Sequence, residues 1–305
     1  MQSTLLEIMY ILAGLVGISA AVHALRDKNH PHPKETAAFW GIFGITFIFG
    51  KYIPGYVTGI LILIMGVLAA INRVKDGGMK TADEDQREAS ALKIGNKIFI
   101  PAMTIGVIAF AVGQFIPALG ALVGLGLGAL LSTIIAMVMT KTETKNISFE
   151  GSRLLLSLGT AAILPQLLAA LGALFNAAGV GEVIASGIGG VIPQGNILAG
   201  VIAYCLGMAI FTMIMGNAFA AFAVITTGIG MPFVYAYGAN PTVVGILALT
   251  AGYCGTLMTP MAANFNIVPA ALLDTKNSNR VIIAQAPLAV AMLLTHIVLM
   301  YTLGF

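Results

Sequence analysis

Long apolar runs separated by short polar stretches organise this chain from end to end. A first run covers residues 5–25. Two more, 39–49 and 56–71, flank the sharp turn "KYIPGY", and a further pair, 98–115 and 119–140, reads as a second hairpin. Each run approaches the ~20 residues that one bilayer crossing needs, and the whole length leaves room for about ten segments. Composition agrees, because 58% of residues are hydrophobic and only 9% are charged, against roughly 25% charged in an ordinary soluble domain. The pattern predicts an all-α polytopic membrane protein with about 8–10 membrane segments.

Charge placement sets the expected topology. Every lysine and arginine except Lys51 falls within 26–34, 73–97, 141–153 or 276–280, the candidate cytoplasmic loops. The first run has Glu7 near its start and Arg26 and Lys28 after it. That is the reverse of a secretory signal, so we expect a retained helix with its N-terminus outside. The stretch 73–97 mixes acids and bases almost evenly and reads as a solvated cytoplasmic linker. Residues 1–153 are thus expected to form helical hairpins with a scaffolding or oligomerisation role.

From 154 to 273 the only formal charge is Glu182. This half is the expected transport core, 154–305. A run at 154–176 carries Pro165 and Gln166 near its middle. The segment 179–196, "GVGEVIASGIGGVIPQGN", is too short and glycine-rich to cross twice and reads as a re-entrant hairpin. A run of about thirty residues, 197–227, is too long for one straight crossing, so we expect a break at Gly216 and Asn217. The stretch "CGTLMTPMAANFNIVPAALLD", beginning at Cys254, puts two prolines, two asparagines and two threonines where leucine is usual. A second break is expected there, over 259–266. The stretch 228–241 reads as a loop or a shallow re-entrant turn.

An unpaired backbone group costs several kcal/mol in hydrocarbon, so irregular backbone survives only inside protein or against a polar cavity. At such a break a half-helix N-terminus offers N–H groups and partial positive charge to an anion. Freed carbonyls and Asn or Thr side chains can coordinate a cation. The candidate substrate contacts are therefore Gly216, Asn217, Thr259, Pro260, Asn264 and Asn266, with Gln194 and Asn196 at the hairpin tip in second rank. Thr226 and Thr227 are candidate oxygen donors to sodium. Glu182 is a candidate proton carrier, though its place after a glycine turn also suits an interfacial carboxylate. A short echo aligns "MGNAFAAFAVI" from Met215 with "MTPMAANFNIV" from Met258, suggesting an internal repeat.

The stretches "YCLGMAIFTMIMGNAFAAF" and "GYCGTLMTPMAANFNIVPAALL" closely resemble a bacterial inner-membrane family identified with one subunit of a 5-oxoproline (pyroglutamate) transporter. So do "FWGIFGITFIFG", "GNKIFIPA" and "LPQLLAALGALF", and the resemblance runs nearly the whole length. Ala223 departs from it, since the family usually carries proline there. The resemblance implies a carrier related to the ion-transporter superfamily, with inverted repeats, re-entrant hairpins and broken helices. It also implies a second, smaller membrane subunit as partner. The expected function is import of a small organic anion, pyroglutamate foremost, coupled to Na+ or H+, with no cofactor beyond that ion and with homo-oligomerisation open.

Other classes fit less well. Nucleic-acid binding has no support from a net charge of +3 without a basic and aromatic tract. His23, His30, His32 and His296 are too scattered to assemble an intramembrane catalytic site, so no enzyme is expected. Cys205 and Cys254 read as buried hydrophobes. A non-transporting scaffold subunit, or a carrier for another small carboxylate, remains the alternative.

Overall fold

The computed structural model describes residues 2–79, 84–189, 195–273, 275–277 and 279–305, and the statements below concern these. The described chain is helical throughout, with no strand. Seven of its helical stretches are long and apolar enough to cross a bilayer, which makes this a multi-pass membrane protein by length and composition. Two shorter apolar helices, Gly55–Ala70 and Pro241–Leu257, accompany them. Helices suit such a chain because each closes its backbone hydrogen bonds within itself. The fold divides into two compact units, Met1–Gly159 and Thr160–Phe305.

In the first unit α1 (Gln2–Arg26) packs along α2 (Pro33–Phe49), with Gly14, Gly17 and Gly44 at the seam and Phe39 and Trp40 fully buried. Small residues matter here because dispersion contacts, rather than water exclusion, hold helices together in lipid. α3 (Gly55–Ala70) follows the Pro54 turn. The expected linker is only partly a loop, since Glu84–Ile94 forms α4 and leads through a 3₁₀ turn, Gly95–Ile98, into α5 (Phe99–Phe115). Its glutamates, glutamine, alanines, leucine and lysine are strong helix formers, a preference that mixed charge alone does not reveal. α6 (Gly120–Thr140) returns antiparallel to α5, and α7 (Lys145–Leu158) lies against α1. There the Ser19 hydroxyl meets those of Ser148 at 2.6 Å and Ser152 at 2.8 Å.

The loop after α1 is clasped to residues 73–78. Asp27 accepts from the backbone N–H groups of Gly78 and Asn29, which hold its carboxyl below the ordinary aspartate range. His30 accepts from the His32 N–H at Nδ1 and donates from Nε2 to the Lys75 carbonyl, both at 3.1 Å. The chain leaves α7 at Gly159, whose φ is +54°, and runs through a 3₁₀ segment, Gly159–Ile163. The run 154–176 is therefore interrupted at Gly159, six residues before Pro165. Proline is tolerated in a first helical turn, where its missing N–H would have no partner anyway.

In the second unit α8 (Leu164–Ala177) and α9 (Val180–Gly189) precede α10 (Ile197–Met215). Then come α11 (Ala218–Ile225), a π-helical turn at Thr226–Gly230, α12 (Met231–Phe233) and a 3₁₀ turn at Tyr235–Tyr237. The stretch 228–241 is thus largely helical turns, ending at Asn240, which caps α13 (Pro241–Leu257). α14 (Ala263–Leu272) and α15 (Arg280–Leu303) complete the chain. The core lies where α10, α13 and α15 meet, around Tyr204, Met208, Ala248, Ala251 and Met300. α10 and α13 touch at backbone distance, because any side chain at Gly255 would collide with the Ala209 carbonyl. Outward positions such as Ile210, Ile214, Ile283, Leu288 and Leu294 are exposed and apolar, as lipid contact requires.

Candidate functional site

Two helix interruptions make the site. α10 ends at Met215, Gly216 turns the chain at φ +67°, and Asn217 caps α11, its Oδ1 accepting from the N–H groups of Phe219 and Ala220 at 2.9 and 3.4 Å. With that oxygen spent, the Asn217 side chain has only its NH2 group left to offer. The second interruption runs from Met258 to the start of α14 at Ala263. In the first turn of α14 the N–H groups of Ala263 and Asn264 make no hydrogen bond among the described residues, as first-turn donors do unless capped.

The interruptions are tied to each other and to α15. Thr259 donates its hydroxyl to the Met213 carbonyl at 2.8 Å and accepts from the Met261 N–H at 3.2 Å. Asn266, fully buried, donates to the carbonyls of Thr256 at 2.8 Å and Thr259 at 2.7 Å, and its Oδ1 faces the Gln285 amide at 3.5 Å. The Thr256 carbonyl is one that the end of α13 leaves without a helical partner, and that of Thr259 lies in the break itself. Thr259 and Asn266 therefore satisfy broken backbone, and neither lines the adjoining cavity.

That cavity, about 230 Å³, opens where both interruptions meet and is smaller than the roughly 300–1,000 Å³ of sites for drug-sized ligands. Gly216, Asn217 and Asn264 line it, together with Ala263 at the start of α14 and Thr256 and Tyr253 from the last turns of α13. Phe219 and Tyr253 form an edge-to-face pair with centroids 6.1 Å apart. Pro165 and Phe265 extend the wall. Among the described residues the lining carries no charged side chain. Asn264 is exposed there and has no side-chain partner among the described residues, so it offers both a donor and an acceptor. The starts of α11 and α14 both reach this cavity, contributing partial positive charge.

The other expected contacts lie elsewhere. Pro260 is exposed in the turn but does not line the cavity. Asn196 caps α10 by accepting from the Ala199 N–H at 3.0 Å, and Gln194 lies outside the described residues. Thr226 shares a 2.6 Å hydrogen bond with the Tyr204 hydroxyl, and Thr227 donates to the Ala223 carbonyl at 2.8 Å. Glu182 is exposed in the first turn of α9 and does not line the cavity.

Tyr253 and Thr256 were missed by sequence reasoning, although both belong to the "GYCGTLMTP" motif and stand within two turns of the break. Two buried oxygens near the site have no partner among the described residues, Thr212 Oγ1 and Gln166 Oε1. Thr212 sits one turn before Gly216, and Gln166 follows Pro165. Among the described residues no group of three or more His, Cys, Asp or Glu side chains is placed to hold a metal ion.

No curated protein and no solved structure matches the chain. The profile of a family described as "Protein of unknown function (DUF979)" matches residues 7–305, nearly the whole length, and the chain belongs to that family.

Proposed function

We propose that this chain is one subunit of a secondary active transporter of the bacterial inner membrane, a symporter that imports a small organic anion with Na+ or H+. Pyroglutamate, a monoanion carrying a lactam, is the proposed substrate, and a second, smaller membrane subunit is the proposed partner. The proposed topology has the N-terminus outside and the charged loops cytoplasmic. α9 is proposed as the first limb of a re-entrant hairpin over 179–196, in an architecture of the ion-transporter superfamily.

One observation supports this reading above the others. Two interrupted helices open on a single small cavity that offers uncommitted backbone and side-chain amides and no fixed charge. A carboxylate suits the free N–H groups of Ala263 and Asn264 at the positive end of α14. A lactam presents one donor and one acceptor, which the NH2 of Asn217 and the amide of Asn264 complement. The flat ring suits the wall made by Phe219 and Tyr253. Asn266 and Thr259 hold this geometry rather than contact the substrate. The coupling ion is proposed without a set of ligands, since the hydroxyls of Thr226 and Thr227 already have protein partners.

The test is equilibrium binding of labelled pyroglutamate to the purified complex, with Asn264→Ala beside wild type. Saturable binding that an excess of proline does not displace, and that weakens at least about tenfold in the variant, supports the site. That factor corresponds to losing one hydrogen bond of ordinary net strength. Binding that is equal in both proteins removes Asn264, and with it the cavity, from the substrate site.

A further inference from the structure

The first unit carries a basic hollow at one end of the α5/α6 hairpin. Lys93 and Lys97 stand one turn apart on α4 and the 3₁₀ turn that follows it. Lys141 caps the C-terminus of α6 in a left-handed conformation, φ +54°. The three lysines line one cavity of about 340 Å³ together with Ser90, Thr140 and Met139. None of the three lysines takes part in an ion pair or side-chain hydrogen bond among the described residues. The acidic residues nearest in sequence, Glu88 and Glu143, do not line the hollow.

The end of α6 carries partial negative charge, which offsets Lys141 in part. Lys93 and Lys97 likewise stand in the last turns of α4 and of the 3₁₀ segment, so backbone dipoles offset each lysine only in part. Like charges gathered around one hollow repel one another, and an anion placed among them relieves that repulsion. The Thr140 hydroxyl already donates to the Ala136 carbonyl at 2.8 Å, which leaves the Ser90 hydroxyl as the free neutral donor.

An apolar track starts three residues beyond Lys97. Ile100, Met103, Thr104, Val107 and Ile108 recur at helical spacing on one face of α5 and line a second, open hollow of about 320 Å³. Ile100, Met103 and Val107 are exposed at 48%, 66% and 59%. Thr104 turns its hydroxyl back to the Ile100 carbonyl at 2.8 Å, so its polar group is spent within the helix. A cationic pocket followed within one helical turn of chain by a hydrocarbon track fits a ligand that is anionic at one end and a chain at the other. A free inorganic anion would use only the first part.

We propose that this end of the α5/α6 hairpin is a binding site for an anionic phospholipid. Its phosphate sits among Lys93, Lys97 and Lys141, and one acyl chain lies along the Ile100 to Val107 face of α5. Juxtamembrane basic pockets attract such headgroups with energies that accumulate lysine by lysine.

The test uses the purified, delipidated full chain and native mass spectrometry with phosphatidylglycerol, phosphatidylcholine or inorganic phosphate as probe. Phosphatidylglycerol is expected to bind at least about tenfold more tightly than phosphatidylcholine and to lose that preference in Lys93→Gln/Lys97→Gln/Lys141→Gln. Lys51→Gln, at the turn after α2, should change nothing. The corresponding triple arginine variant, which keeps the charge, should retain the preference, and it also serves where the glutamine triple fails to fold. Met103→Ser/Val107→Ser should weaken phosphatidylglycerol without affecting inorganic phosphate. Equal binding of the two lipids, or retention of the preference in a folded glutamine triple, overturns the proposal. Inorganic phosphate binding as tightly as phosphatidylglycerol overturns the lipid and assigns the hollow to a soluble anion.

Discussion

The hydroxyl of Thr259 donates to the carbonyl oxygen of Met213 at 2.8 Å, joining the break that follows α13 to the last turn of α10. A single side chain thus supplies a partner that an interrupted helix lacks, from within the other interruption. Thr259→Val keeps the shape, removes the donor to Met213 and strips the acceptor from the Met261 N–H. We expect a loss of about 1–3 kcal/mol, read as a lower unfolding temperature in detergent, with Thr259→Ser close to wild type. An unchanged unfolding temperature for the valine variant would mean that the two breaks are not coupled through this bond.

Asn264 and Asn266 sit two residues apart and should behave oppositely. Asn266→Ala leaves the carbonyls of Thr256 and Thr259 without their buried donors, which costs about 1–3 kcal/mol for each group left unsatisfied. Asn264 is exposed in the cavity, and Asn264→Ala should change stability by less than about 0.5 kcal/mol while it reduces pyroglutamate binding. Paired thermal unfolding and binding measurements check this. Equal stability losses in both variants would contradict the division of roles.

Gly255 allows α10 and α13 to meet at backbone distance. Gly255→Ala drives a methyl group into the Ala209 carbonyl, where only backbone could yield. The expected cost is about 1–3 kcal/mol, typical of overpacking. Gly55→Ala, at a position with no neighbour to meet, is the matched control in the same unfolding experiment.

Asp27 makes the clasp between the first loop and residues 73–78 sensitive to acid. Its carboxyl is held low by the N–H groups of Gly78 and Asn29, so its folded pKa lies below the unfolded value of about 3.9. A depressed carboxylate stabilises the fold fully above the unfolded value and loses that contribution as pH falls through the folded one. Hydrogen-exchange protection of the Gly78 amide should therefore be constant near neutrality and decline below about pH 4. Asp27→Asn should lower the protection at pH 7 and flatten its dependence on acid. Protection that stays level in wild type down to pH 2 would contradict the clasp.

The interruption at Gly216 and Asn217 is legible in the chain because a thirty-residue apolar run must break somewhere, and glycine followed by asparagine supplies a left-handed turn and a cap. The one after α13 announces itself through proline and clustered amides. What sequence could not separate is one amide from another. Asn217, Asn264 and Asn266 look equivalent in the chain, yet Asn217 caps α11 at the cavity wall, Asn264 lines the cavity with its amide unspent, and Asn266 satisfies buried carbonyls. That division depends on a rotation of about 200° between residues two apart on α14, and on where α13 ends. The helix at Glu84–Ile94 was hidden for a different reason, because its mixed charge suggested solvent while its residues favoured helix. Tyr253 and Thr256 were hidden because polar residues on an apolar helix reveal their facing only once its neighbours are known.

Uptake of labelled pyroglutamate into proteoliposomes, under separate Na+ and H+ gradients, tests the central claim most directly. The chain is reconstituted with and without its proposed companion subunit, and Asn264→Ala is assayed beside wild type. The account predicts uptake that requires one of the two gradients and falls at least about tenfold in the variant. A correctly assembled wild-type complex that stays silent under both gradients, or an Asn264→Ala complex that transports as fast as wild type, would contradict it.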